Sequence, residues 1–135
     1  MADPMLLMDS DYDILVTVAS GSLTAGIQHA KIFSWQNTAA SASIIVHKVL
    51  INITTGSSAA AKINVGQAAT EVESDNLIDG AALDSIDILN NYDDQGGNGT
   101  GAVLVADDQW ITGYEDNSAA STGLVGKYYI FYTKA

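Results

Sequence analysis

The sequence predicts an all-β fold, a single-domain β-sandwich of jelly-roll or Greek-key topology, and three observations carry that prediction. Short runs of β-branched and aromatic residues recur between clusters of Gly, Asn, Asp and Ser, about eight of them within 135 residues. The last run has Tyr128, Ile130 and Tyr132 on one face and Tyr129 and Phe131 on the other, as a strand central in a packed sheet requires. Apolar residues make up 47% of the chain, enough to bury a core that offsets the entropy of ordering the backbone.

Residues 13–18 and 27–35 read as the first two strands, parted by the Ser20-Gly21-Ser22 turn cluster and Gly26. Residues 43–54 form the clearest run. Simple alternation puts Ile45, His47, Val49, Ile51 and Ile53 on one face, and Lys48, Asn52 and Thr54 on the other. Ile44, Val46 and Leu50 fall with the second set, so that face is expected to meet a neighbouring subunit. Residues 61–65, with Ile63 and Val65 inward, predict a hairpin with this strand across Thr55-Gly56-Ser57-Ser58. Residues 74–91 predict a turn-rich excursion: Leu83, Ile86 and Leu89 share a helical face, which Gly80 and scattered Asp residues weaken. The stretch 91–101, rich in Gly, Asn and Asp, predicts a surface loop. Residues 103–105, 109–114 and 124–133 supply the final strands. Residues 1–12 are expected to form an N-terminal arm ahead of a sandwich spanning 13–135.

Sixteen Asp and Glu face five Lys and no Arg, a net charge of -11. Phosphate backbones are bound by clustered Lys and Arg that release counterions, so nucleic acid is excluded as an expected partner, and anionic membrane surfaces with it. Such acidity keeps free chains soluble. The absence of cysteine removes disulfides, thiolate nucleophiles and zinc–thiolate sites. No apolar run approaches the ~20 residues that cross a bilayer, and the first residues lack the basic leader and apolar core of a secretory signal. Synthesis in the cytoplasm is expected.

Catalytic chemistry has few candidates. His47 sits in the apolar alternation of the best strand, where a hydrogen-bonded structural histidine is the expected state, and His29 is expected at the surface. The serines form neither a G-x-S-x-G elbow nor an S-x-x-K pair. The stretch 96–101 imitates a phosphate-binding loop but lacks its Lys-Ser/Thr ending. Asp9-Ser10-Asp11-Tyr12-Asp13 opens like a calcium loop, yet Ile14 stands at the required glycine and Ser20 at the bidentate glutamate. Asp93 and Asp94 offer a looser calcium site, against which solvated turn residues are the default reading. Trp35, Trp110 and Tyr114 would suit a sugar platform, although aromatics in strands ordinarily pack in the core. No cofactor, metal or catalytic residue is expected, and the chain reads as a non-enzyme.

Several blocks follow one another from about Ile32 onward: Phe33-Ser34-Trp35-Gln36-Asn37, Ile63-Asn64-Val65-Gly66, Ser74-Asp75-Asn76-Leu77-Ile78-Asp79-Gly80, Trp110-Ile111-Thr112-Gly113 and Gly123-Leu124-Val125-Gly126-Lys127-Tyr128-Tyr129-Ile130. The series resembles small virion proteins of tailed bacteriophages, among them the capsid decoration, or cement, proteins. The resemblance implies a protein on the capsid surface that binds the major capsid protein lattice and assembles as a homotrimer. Met5, Leu6, Leu7 and Met8, with Trp110 and Tyr114, are the expected contacts, because adaptable apolar and aromatic side chains are enriched at interfaces. The alternative is a carbohydrate- or receptor-binding module of a virus fibre or cell surface, using the loop 92–101 and nearby aromatics.

Overall fold

A computed structural model of the chain describes residues 16–38 and 42–135. Among them nine strands form two antiparallel sheets and no helix: β1 Thr17–Ser22, β2 Lys31–Gln36, β3 Ile44–Thr55, β4 Lys62–Ala68, β5 Ile78–Ala82, β6 Asp87–Asn90, β7 Val103–Val105, β8 Trp110–Glu115 and β9 Val125–Lys134. Sheet A runs β1-β9-β3-β6, with β7 also paired to β3; sheet B runs β2-β8-β4-β5. Their inner faces enclose one core, built from Val46, Val49, Ile51, Ile53 and Ile130 of sheet A against Ile32, Ile63, Val65 and Ile111 of sheet B. The predicted all-β sandwich is therefore present.

Two aromatic rings join the sheets through the core. Phe33 stacks on Tyr128, ring centroids 4.3 Å apart and planes 16° from parallel. Each ring lies over a glycine on its neighbouring strand. A Cβ on Gly113 would fall 2.3 Å from the Phe33 ring, and one on Gly21 would fall 2.7 Å from Tyr128. The pairs Phe33–Gly113 and Gly21–Tyr128 are in register across β2–β8 and β1–β9, so glycine supplies the room that the large partner fills.

Five expectations are corrected. Ser20, Gly21 and Ser22 are strand rather than turn, because they pair with Tyr129, Tyr128 and Lys127 and lie small against large. The second strand starts only at Lys31: residues 27–30 close a turn, with Ala30 N–H donating to Ile27 O and His29 at φ 61°. The expected hairpin between the third and fourth strands is absent. β3 lies between β9 and β6 in sheet A, and the connection crosses to sheet B, where β4 pairs with β8 and β5. The excursion 74–91 contains β5 and β6; Leu83 and Leu89 are buried, while Ile86 is among the most exposed apolar residues.

The fifth correction concerns β3 itself. Its register against β9 slips between Val46 and Lys48, a β-bulge at His47. The extra residue inverts the alternation, so Ile44 and Val46 face the core together with Val49, Ile51 and Ile53. Ile45, Lys48, Leu50 and Asn52 are left on the outside. Asn91, fully buried, braces the bulge: its Oδ1 accepts Val49 N–H at 2.8 Å, and its amide donates to His47 O at 3.5 Å and to Gly101 O at 3.2 Å. The Tyr92 hydroxyl donates to His47 O.

Candidate docking faces

Each sheet has an outer face, and the two are finished differently. On sheet B, alternation along β8 turns Trp110, Thr112 and Tyr114 outward, and the chain between β4 and β5 is strapped across them. Thr112 Oγ1 donates to Val72 O at 2.7 Å, Tyr114 Oη to Glu71 O at 3.2 Å, and Asn64 Nδ2 to the Glu73 carboxylate at 2.8 Å. The Glu71 carboxylate accepts from Ser34 Oγ at 2.5 Å and from Lys31 Nζ at 3.2 Å. The bond from Ser34, then that from Lys31, holds the Glu71 carboxyl below its ordinary value. Close approach of the strap depends on Gly66, where a Cβ would stand 2.3 Å from Ser74 Oγ and 2.6 Å from Asn76 Oδ1. Thr112 is fully buried as a result.

The outer face of sheet A has no such cover from the described loops. Register places its residues in rows: Val18–Phe131–Lys48, then Ser20–Tyr129–Leu50–Asn90, then Ser22–Lys127–Asn52–Ile88, with Ile45 beside Leu104 at one end. Five of the large apolar side chains most open to solvent lie on its strands or just before β1: Val16, Val18, Ile88, Leu104 and Val125, each about half exposed. Tyr129, Phe131, Leu50 and Ile45 between them are half-buried.

Charge divides the same way. The strands of sheet A carry three of the five lysines, Lys48, Lys127 and Lys134, and one of the sixteen acidic residues, Asp87 at the start of β6. On the outer rows the charged side chains are Lys48 and Lys127 alone. The segments at the two ends of β6 are acidic, with Asp84 and Asp87 exposed at its start and Asp93 exposed and Asp94 half-buried after its end. An open groove of about 430 Å³ ends the face, lined by Ser22, Asn52, Thr54, Lys127 and Tyr129 among others.

Sequence-selected residues are distributed as follows. Trp110 and Tyr114 lie together on the outer face of sheet B, both half-buried. Met5, Leu6, Leu7 and Met8 lie outside the described residues, as does the arm 1–12. Trp35 points the other way from Trp110 and packs inward on Tyr132 at 5.2 Å, so the three aromatics form no common platform. His47 Nε2 meets Thr133 Oγ1 at 2.7 Å, the structural pairing expected of it. His29 is exposed, its Nδ1 3.8 Å from Glu73. Asp93 and Asp94 serve the turn after β6: Asn90 donates to both, by its side-chain amide to Asp93 and by its backbone N–H to Asp94, each at 2.9 Å. Among the described residues no three His, Cys, Asp or Glu gather as a metal-holding group, and no helix is long and apolar enough to cross a membrane.

One group escaped the sequence reading. Glu115, at the inward end of β8, is fully buried, and neither carboxylate oxygen has a hydrogen-bond partner among the described residues. Burial pushes its carboxyl above the ordinary range, while the adjacent Ser121 hydroxyl and amide pull more weakly the other way. That hydroxyl is engaged with Gly26, accepting its N–H at 2.9 Å. The signal was present in the alternation Ile111, Gly113, Glu115, which continues the inward set.

No family model, curated protein or solved structure matches the chain.

Proposed function

We propose that the protein is a structural component of a tailed-bacteriophage virion, a decoration protein that binds the major capsid protein lattice and stabilises the shell. It is made in the host cytoplasm and works as a homotrimer on the capsid surface. The observation that carries this reading is the contrast between the faces: one sheet sealed by its own strap, the other left open and largely apolar among the described residues, as in a protein completed by packing against neighbours. The strand orders β1-β9-β3-β6 and β2-β8-β4-β5 support a jelly-roll reading, with β7 as an added strand, and jelly rolls serve viral capsid and lectin domains. The block resemblance points the same way. Trp110 and Tyr114, with the Met5–Met8 segment, are the proposed contacts with the shell.

Co-sedimentation with capsids stripped of their decoration tests this. The intact chain is expected to pellet saturably, and deletion of residues 1–10 to abolish pelleting with the circular dichroism unchanged. Failure of the intact chain to bind any tailed-phage shell offered to it, including that of the phage encoding it, would end the reading.

A second reading, a carbohydrate- or receptor-binding module, is favoured by the groove at the end of sheet A, where the Tyr129 ring stands beside the polar groups of Asn52, Ser22 and Lys127. Glycan arrays with and without calcium test it: saturable binding weakened by Tyr129→Ala would put this reading first.

A further inference from the structure

We infer that the outer face of sheet A is where a second copy of the chain packs. This goes beyond the virion reading and does not depend on it.

Three observations converge. Apolar side chains run across the face from Val18 and Phe131 through Tyr129 and Leu50 to Ile88, with Ile45 and Leu104 at one end and Ser20, Ser22, Asn52 and Asn90 among them. At strand spacings of ~4.8 Å and ~3.3 Å per residue, its four-strand width and the length of β9 give a footprint of about 600 Å² before rippling, of the order of the ~800 Å² each partner gives to a standard interface. Charge permits the contact. In a chain of net charge -11, copies repel unless the touching surface is freed of carboxylates, and the outer rows of sheet A are so freed. Lys48 and Lys127, on the central strands β3 and β9, make no ion pair among the described residues.

The edge strand adds the third observation. Among the described residues β1, Thr17–Ser22, pairs with β9 alone and carries no charge, proline or bulge, the devices that ordinarily guard an open edge.

Light scattering after size exclusion, over a concentration series, reads the outcome directly. The intact chain is expected at a fixed multiple of its 14.1 kDa, three for a closed trimer. Leu50→Glu and Phe131→Glu are expected to bring it to the single-chain mass. Ile88→Glu and Leu104→Glu, at side chains 57% and 59% exposed and so without cost to the fold, are expected to raise the dissociation constant at least tenfold. Ala82→Glu, exposed on sheet B, is the control and leaves the mass unchanged. Lys127→Glu, which puts a carboxylate on the face, should weaken assembly. A single-chain mass for the intact protein at ~100 µM, or an assembly indifferent to Ile88→Glu and Leu104→Glu, overturns the inference. Monomers that still decorate stripped capsids would sink this inference alone, whereas assemblies that ignore capsids would sink the virion reading alone.

Discussion

Single residues here do work that their type does not announce. Asn91 looks like a loop residue, yet it holds the backbone of the β3 bulge from a fully buried position. Asn91→Ala would strand the Val49 N–H in the core, and a loss of about 2 kcal/mol is expected in denaturant unfolding, within the usual cost of an unpaired buried group. A loss under about 0.5 kcal/mol would show that water replaces the amide. Gly113→Ala forces a methyl against the Phe33 ring and should cost ~1–3 kcal/mol by overpacking, seen as a lower Tm with the far-ultraviolet dichroism kept. Glu115 gives a pH signature. A carboxyl whose folded-state pKa is raised contributes stability in full below its unfolded value and loses it as pH rises through the folded value. Glu115→Gln is therefore expected to raise Tm at pH 7 and to lose that advantage near pH 4; an equal gain at both pH values would place the effect in packing instead. Glu71, held below its ordinary value, runs the opposite way: its contribution is present above the unfolded pKa and fades as pH falls through the folded one.

At the scale of the element, strand existence was legible and strand partnership was not. The runs from Ile44 to Thr55 and from Val125 to Lys134 announce themselves by composition, and their inward residues fill the core. What alternation could not register is the extra residue at His47, since a bulge is a matter of backbone pairing and leaves the side-chain list unchanged. Counting straight through it put Ile44 and Val46 outside. β1 was misplaced because Ser-Gly-Ser is turn-forming by propensity, while tertiary pairing with Tyr128 and Tyr129 favours small residues there. Trp110 and Tyr114 were chosen for their chemistry and do share a face; the open face of sheet A was passed over, although a tally of charge by strand would have shown β3 and β9 free of acid. The strap over sheet B gives a test at this scale. Gly66→Ala should lift residues 69–77, and hydrogen exchange at Leu77 and Gln67 should quicken while β3 and β9 keep their protection.

For the whole molecule, asymmetry is the governing fact. A sandwich needs cover on its inner faces only, and sheet B nevertheless spends nine residues sealing its outer one, whereas sheet A presents Val18, Ile88 and Leu104 to solvent. Acid is concentrated away from the open face, so the same charge that keeps free chains apart leaves one surface able to meet a neighbour. The wiring has a further effect. β9 is the last strand in chain order and sits between β1 and β3, so sheet A has a gap at its centre until that strand is made. A nascent chain therefore has the two halves of sheet A unjoined and a core missing Tyr128 and Ile130 until residues 125–134 have emerged from the ribosome.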